Sequence, residues 1–225
     1  MTIGFRILKR QRKVSPALVA KTRGLPVANI SDSMSRLFAG GPTLRPMHAG
    51  GGMAGPAFTV RTRPNDNLMI HKAFDIAEPG DVVVVDAGGE LTHALVGELM
   101  LSHARKRGIA GVVINGAVRD SGWIRAQDYP VYAAGVTHRG PYKDGPGEIN
   151  VKLAIGGMVI EPGDLIVGDD DGFLCLPHDE AETILAAAWK KNDAENKQMK
   201  AIEAGTSDRS WVDVSLARLG CEIEK

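Results

Sequence analysis

Residues 81–120 read DVVVVDAGGELTHALVGELMLSHARKRGIAGVVINGAVRD, and the order of apolar runs within them decides the fold class. Asp81–Ala87 is a β-branched run with no polar interruption until its end, the pattern of a strand buried on both faces. Ala94–Arg107 follows with helical spacing, which predicts Leu95, Leu99, Met100 and Ala104 on one face. Arg105, Lys106 and Arg107 suit the negative end of its dipole, and Gly108 suits its C-terminal cap. Gly111–Asn115 is a second buried strand. A strand–helix–strand unit of this kind belongs to the α/β class.

Working outward, Gly116–Asp120 reads as a short loop, Ser121–Gln127 as a helix and Val131–Ala134 as a strand. Thr137–Gly147 reads as a loop, with three glycines and two prolines. Four short strands are expected at Ile149–Ile155, Met158–Ile160, Leu165–Gly168 and Gly172–Leu176. Toward the N-terminus, Ala57–Arg63 alternates as a strand, His71–Ala77 reads as a short helix, and Glu78-Pro79-Gly80-Asp81 as a tight turn. The same turn chemistry recurs at Glu161-Pro162-Gly163-Asp164. Residues 15–39 read as helical, with Ser15-Pro16 at one start, a second cap at Ser31-Asp32 before Met34, Leu37 and Phe38, and a stop at Gly40-Gly41-Pro42. From Asp179 the apolar spacing of Ile184, Leu185, Ala188, Met199 and Ile202 is again helical, Gly205 ends the run, and Trp211, Val214, Leu216 and Leu219 lie in a tail. The expected organisation is an α/β domain with N-terminal helices over residues 1–178 and a C-terminal helical extension over 179–225, the latter for oligomer contacts.

Basic and acidic residues balance at 27 each, which argues against a nucleic-acid surface. The locally basic Arg6, Lys9, Arg10, Arg12 and Lys13 have the composition of an RNA-binding arm, but a solvated helix face or an oligomer contact is the expected reading. Cys175 and Cys221 are too few for a zinc site and fit a reducing compartment. No apolar run approaches the ~20 residues of a membrane span, and the first residues carry no signal core, so the expected location is the cytoplasm.

Chemistry is expected where the second strand ends. Ligands of open α/β sheets collect at strand C-termini beside helix starts, whose free N–H groups attract a carboxylate. Gly97 permits close approach to the backbone. Arg119 offers a planar fork for a carboxylate. Asp120 is a hard oxygen ligand suited to magnesium or manganese, and Glu98 is placed to hold water on such an ion. On pattern alone, an Arg-Asp pair in a loop is more often a surface ion pair. The six histidines form no metal motif; His93 and His138 are the two placed to approach the pocket. Gly50–Gly52 reads as a flexible connection, and Asp169–Asp171 as a turn between strands, at a possible subunit contact.

Gly97-Glu98-Leu99-Met100, followed by Gly108-Ile-Ala-Gly111-Val-Val-Ile-Asn-Gly116-Ala-Val-Arg119-Asp120, resembles the core of the RraA-like family. That family includes class II 4-hydroxy-4-methyl-2-oxoglutarate and 4-carboxy-4-hydroxy-2-oxoadipate aldolases. Its hallmark is an acid, a twenty-residue gap and Arg-Asp; here residues 99–118 are the gap. Further agreement lies in Gly55-Pro-Ala-Phe-Thr59-Val60, Pro79-Gly80-Asp81, Tyr129-Pro130-Val131, Gly156-Gly157 through Pro162-Gly163-Asp164, and Asp169-Asp170-Asp171-Gly172 leading to Pro177. The resemblance covers roughly residues 30–180.

The resemblance implies an α/β/β/α swivelling-domain sandwich assembled as a homotrimer or homohexamer, with sites at subunit contacts. It implies that backbone amides of Gly97, Glu98, Leu99 and Met100 bind the carboxylate or enolate of pyruvate. Arg119 contacts the substrate and its developing negative charge, and Asp120 holds Mg2+ or Mn2+. Glu98 acts through water; it stands where the family usually has Asp, so it reaches one methylene further. An acid from a neighbour's extension is expected in the site, with Glu195 the first choice and Glu203 the second. The implied activity is cleavage of a 4-hydroxy-2-oxo acid to pyruvate and a second oxo acid, with oxaloacetate decarboxylation as a side reaction. Shorter family members bind and inhibit a ribonuclease, which is the second reading. A lyase of the same fold acting on another small 2-oxo acid is the third.

Overall fold

A computed structural model describes residues 4–36 and 40–224. In chain order the elements are β1 (Phe5–Ile7), α1 (Pro16–Ala20), α2 (Val27–Ser33), β2 (Arg45–Pro46), β3 (Met53–Thr62), α3 (Leu68–Ile76), β4 (Val82–Asp86), β5 (Ala94–Val96) and α4 (Glu98–Lys106). Then come β6 (Gly111–Val118), α5 (Ser121–Arg125), β7 (Val131–Val136), β8 (Gly147–Ile149), β9 (Leu153–Ile155), β10 (Met158–Ile160), β11 (Leu165–Asp169), β12 (Gly172–Leu176), α6 (Ala181–Glu203) and α7 (Ser210–Arg218).

The main sheet runs β1-β8-β3-β4-β6-β7-β2. Its centre, β3-β4-β6-β7, is parallel throughout. The long β3 serves three partners: Met53–Pro56 pairs antiparallel with β11, Ala57–Arg61 pairs parallel with β4, and Val60–Thr62 pairs antiparallel with β8 on the other side. β12 extends the β11 side, and β9 and β10 form a separate hairpin.

The period-2 alternation of side chains divides the core in two. Val83, Val85, Val112 and Ile114 face Ile70 and Phe74 of α3, Leu101 of α4 and Ile124 of α5. Val82, Val84 and Val113 face the other way, onto Ile166, Leu174 and Leu176, with Ile30 of α2 and Leu185 of α6 beyond. The layers are therefore helix, sheet, strand-rich sheet, helix: the α/β/β/α sandwich. Each fully buried valine contributes roughly 1.5–3 kcal/mol of burial, which explains why an unbroken valine run makes the central strand. Ala181, Leu185 and Ala188 of α6 join the second cluster, whereas Met199, Ile202, Trp211 and Val214 further along are exposed.

Both Glu-Pro-Gly-Asp turns are built alike. Asp81 Oδ2 accepts from the Glu78 amide at 2.9 Å, and Asp164 Oδ2 from the Glu161 amide at 2.8 Å. Each carboxylate closes its turn and leads into a strand, β4 or β11.

Several expectations are corrected. Ala94–Val96 is not helical: these residues pair with Ala117 and Val118 of β6 as strand β5, and α4 starts only at Glu98. Its buried face is consequently Leu101 and Ala104, while Leu95 is buried in β5 and Leu99 is 82% exposed. Residues 15–39 are not one helical stretch with a restart at Ser31-Asp32. Gly24 (φ 80) and Pro26 separate two short helices, Asp169 Oδ2 accepts from the Val27 amide at 2.9 Å where α2 begins, and Ser31 and Asp32 lie inside that helix. Positive φ at Ser35 and Arg36 ends the segment ahead of the Gly40-Gly41-Pro42 stop, and the expected apolar positions Leu37 and Phe38 lie outside the described residues. Ile149–Ile155 is divided into β8 and β9 by Asn150, whose φ is 59. Part of the tail forms α7. The basic N-terminal segment is no helix face: it is strand β1 followed by irregular chain, and four of its cations pair with acids of the same chain, Arg6 with Glu148 at 2.7 Å, Arg10 with Asp81 at 2.7 Å, Arg12 with Asp179 at 2.6 Å, and Lys13 with Glu78.

Candidate active site

β5 and β6 run side by side, and the chain leaves both at one edge of the sheet. After Val96, Gly97 is extended and caps α4; after Val118, Arg119 donates its amide to Val96 O at 3.0 Å. β6 shifts register between Ile114 and Ala117, an irregularity that lets one strand serve the main sheet and then β5. Asp120 takes the left-handed conformation (φ 56, ψ 37) at the start of α5. This returns its side chain to α4, where Oδ2 accepts from the Glu98 amide at 2.9 Å. Arg119 Nε lies 3.8 Å from the same oxygen, with the two side chains 43% and 41% exposed.

Gly97 is required here by space. A Cβ at this position would lie 2.4 Å from Asp120 Oδ2 and 2.8 Å from Arg119 Cγ. The structure thus brings together Gly97, Glu98, Leu99, Met100, Arg119 and Asp120, the residues singled out in the sequence. The corrected start of α4 strengthens the anion-binding argument. Leu99 and Met100 now belong to a first helical turn, whose amides have no intrahelical acceptor and sit at the positive end of the dipole. A helix beginning at Ala94 would have buried those amides in its interior.

Two walls flank this edge. Asn67, which caps α3, is buried and donates from Nδ2 to Leu95 O at 2.8 Å and weakly to Met100 Sδ at 3.3 Å, while its Oδ1 is buried without a partner. The sequence reading missed it; the Asn65-Asp66-Asn67 triplet ahead of an apolar run was the available signal. The other wall is the segment from Thr137. Thr137 donates its amide to Val118 O at 3.0 Å, and Arg139 O accepts from the Ala94 amide at 2.8 Å. Gly140 faces the Arg119 guanidinium, such that a Cβ there would come within 3.4 Å of Nη1. The His93 ring packs against Tyr142 at 5.2 Å, whereas His138 is exposed. On α3, His71 is exposed at its surface, yet partial desolvation of its ring first and the positive charge of Lys143 second hold it below the ordinary histidine pKa.

Among the described residues no three His, Cys, Asp or Glu side chains gather as a metal cluster. Asp120 is a half-exposed carboxylate whose hydrogen bond and ion pair both engage Oδ2, and Glu98 follows the capping glycine beside it. One or two acids with water completing the shell is the donor set of magnesium or manganese, not of zinc.

A cleft of about 790 Å³ lies at the opposite end of the central strands, between α1 and the turn before β4, and is lined by Val19, Leu25, Met53 and Pro56 among others. The acids in its lining are already satisfied: Asp81 holds Arg10, and Asp169 holds the Val27 amide. Size therefore does not identify the site; convergence of an anion-binding helix start, a guanidinium and a carboxylate does. Asp169–Asp171 is the turn between β11 and β12, as expected, with Asp169 Oδ1 accepting from the Asp171 amide at 3.0 Å. Within one chain Glu195 meets α2 and its own helix, accepting from Asn29 Nδ2 at 2.6 Å and pairing with Lys191 at 2.8 Å; these two partners lower its pKa, Lys191 first. Glu203 is exposed near the end of α6.

The family model "RraA-like: Aldolase/RraA" matches residues 27–175. A protein of Halalkalibacterium halodurans bearing the name "Putative 4-hydroxy-4-methyl-2-oxoglutarate aldolase" is 39% identical over 184 residues, covering 82% of this chain and 88% of the relative. Among solved structures, an uncharacterized protein from Pseudomonas syringae superposes with a TM-score of 0.77 at 26% identity, covering 87% of this chain and 96% of that one. The RNA-processing inhibitor RraA from Thermus thermophilis superposes with a TM-score of 0.63 at 32% identity, covering 68% of this chain and 92% of that one.

Proposed function

This chain belongs to the RraA-like family, and from that premise we propose that it is a divalent-metal-dependent pyruvate aldolase, cleaving a 4-hydroxy-2-oxo acid to pyruvate and a second oxo acid. The observation that carries the reading is the contact of the Asp120 carboxylate with the Glu98 amide across Gly97, with Arg119 beside it. One edge of the sheet thereby presents a carboxylate, a guanidinium and a helix start to the same small volume. The name carried by the Halalkalibacterium halodurans relative supports the choice of substrate class.

In this reading the substrate carboxylate lies against the Leu99 and Met100 amides and the Arg119 fork. Asp120, with Glu98 acting through water, would hold Mg2+ or Mn2+, which when bound supplies positive charge that polarises a 2-oxo acid and acidifies water. Glu98 steadies the water that takes the proton from the C4 hydroxyl. The C3–C4 bond breaks, C4 becomes the carbonyl of the second oxo acid, and the electron pair remains on the three-carbon fragment as pyruvate enolate. Arg119 and the helix-start amides stabilise that developing oxyanion, and protonation at C3 gives pyruvate. Oxaloacetate, losing carbon dioxide, leads to the same enolate and is the expected side substrate.

Leu91, Leu99, Val136 and Tyr142, all on these same segments, are exposed apolar side chains. Exposed apolar side chains around the site favour a second copy of the chain closing it, in a homotrimer or homohexamer. Glu195, or after it Glu203, is the acid such a copy would contribute.

A second reading, regulation of a ribonuclease by binding it, is favoured by the likeness to the Thermus RraA structure. It requires neither Arg119 nor Asp120. Pyruvate release assayed with and without magnesium, in wild type and Asp120→Asn, separates the two readings. Among the described residues no helix is long and apolar enough to cross a membrane.

A further inference from the structure

Asp66 takes no part in the chemistry above, yet it is a fully buried acid. Its Oδ1 accepts from the Leu68 amide at 2.9 Å, at the start of α3. Its Oδ2 accepts from the amides of Asp144 at 2.8 Å and Gly145 at 2.9 Å, and meets Arg63 Nη2 at 3.1 Å. Backbone pairing closes the same seam: the Asn67 amide donates to Tyr142 O at 3.0 Å, and the Tyr142 amide to Asn65 O at 2.8 Å. A buried carboxylate is unfavourable unless fully bonded, and here the bonding joins two segments far apart in sequence.

The segment it fastens is the one that walls Arg119. Its upstream end is tied to β6 and β5 through Val118 O and the Ala94 amide, and its downstream end to Asp66. Between these anchors stands Gly140, against Arg119 Nη1. We propose that Asp66 is a positioning residue: by clamping residues 142–145 to the start of α3 it holds Gly140 against the Arg119 guanidinium and aims that fork at the substrate carboxylate. This rests on the aldolase reading of the site.

Asp66→Asn preserves volume but leaves one acceptor oxygen for amides that now use both. Two measurements on the full chain test the proposal: hydrogen–deuterium exchange, and steady-state pyruvate release with magnesium. Exchange over residues 137–145 is expected to quicken by about tenfold or more while β4 and β6 stay protected. KM is expected to rise about tenfold, because a misaimed fork grips the substrate carboxylate less well, and kcat to fall by no more than about tenfold, because the same fork also stabilises the developing oxyanion. An unchanged KM, with or without faster exchange, overturns the proposal. Should Asp66→Asn be recovered unfolded, Gly140→Val probes the same wall from its other side; a wild-type KM in that variant overturns the proposal as well. Absence of metal-dependent turnover in the wild type would instead refute the aldolase reading. The proposal would then be decided by calorimetric titration with pyruvate, equal affinity in wild type and variant refuting it.

Discussion

The Asp120 carboxylate bonds the Glu98 amide at 2.9 Å across 22 residues of sequence. That bond joins the start of α4 to the loop after β6, with Gly97 as the space between them.

Gly97→Ala tests that space. An added methyl meets Asp120 Oδ2 at 2.4 Å and Arg119 Cγ at 2.8 Å, so both groups must move. The φ of −155 at Gly97 is open to any residue, so the backbone itself is not strained. The variant is expected to fold with a wild-type circular dichroism spectrum while kcat/KM falls by roughly 10²-fold, the loss typical of ångström-scale misplacement.

Asp120→Asn removes charge without disturbing the turn. Asn tolerates the left-handed conformation found at this position, whereas Ala there costs about 1–2 kcal/mol. The expected result is a Tm close to wild type, weakened manganese binding by paramagnetic resonance, and a fall in kcat of roughly 10³-fold, set against the several kcal/mol a bound metal supplies.

Arg119→Lys keeps the positive charge and loses the planar fork. A charge-assisted hydrogen bond is worth about 1.5–3 kcal/mol, so KM for oxaloacetate is expected to rise roughly 10- to 100-fold. A KM equal to that of wild type would show that Arg119 does not grip the substrate carboxylate.

His71 links stability to pH. Partial desolvation, then Lys143, lowers its pKa below the ordinary 6.5, against a smaller opposing pull from Asp75; His103 also disfavours the charged form. The unfolded chain therefore takes up this proton first as pH falls, and stability declines below about pH 6.5 until the folded imidazole is protonated too. His71→Gln is expected to lose less Tm than wild type between about pH 7.5 and about pH 5.5 in parallel melts.

The central strands, and the proximity of the candidate site residues, were legible because each is written locally. Asp81–Ala87 and Gly111–Asn115 are short apolar runs rich in β-branched residues, although the second strand continues to Val118, through residues whose glycine and alanine read as loop. Gly97, Glu98, Arg119 and Asp120 stand out by residue type and order. The start of α4 was misread because Ala94, Leu95 and Val96 continue a helical apolar spacing; only pairing with Ala117 and Val118 makes them a strand, and that partner is distant in sequence. Asn67 and Asp66 were passed over for a similar reason. Their partners, Leu95 O and the amides of Asp144 and Gly145, come together only in the folded chain.

The most direct measurement is pyruvate formation from 4-hydroxy-4-methyl-2-oxoglutarate by purified protein, with magnesium and after chelation, in wild type and Asp120→Asn. Magnesium-dependent pyruvate release by the wild type, abolished by chelator and in the variant, is the predicted result. Pyruvate released equally without metal, or equally by Asp120→Asn, would contradict the account.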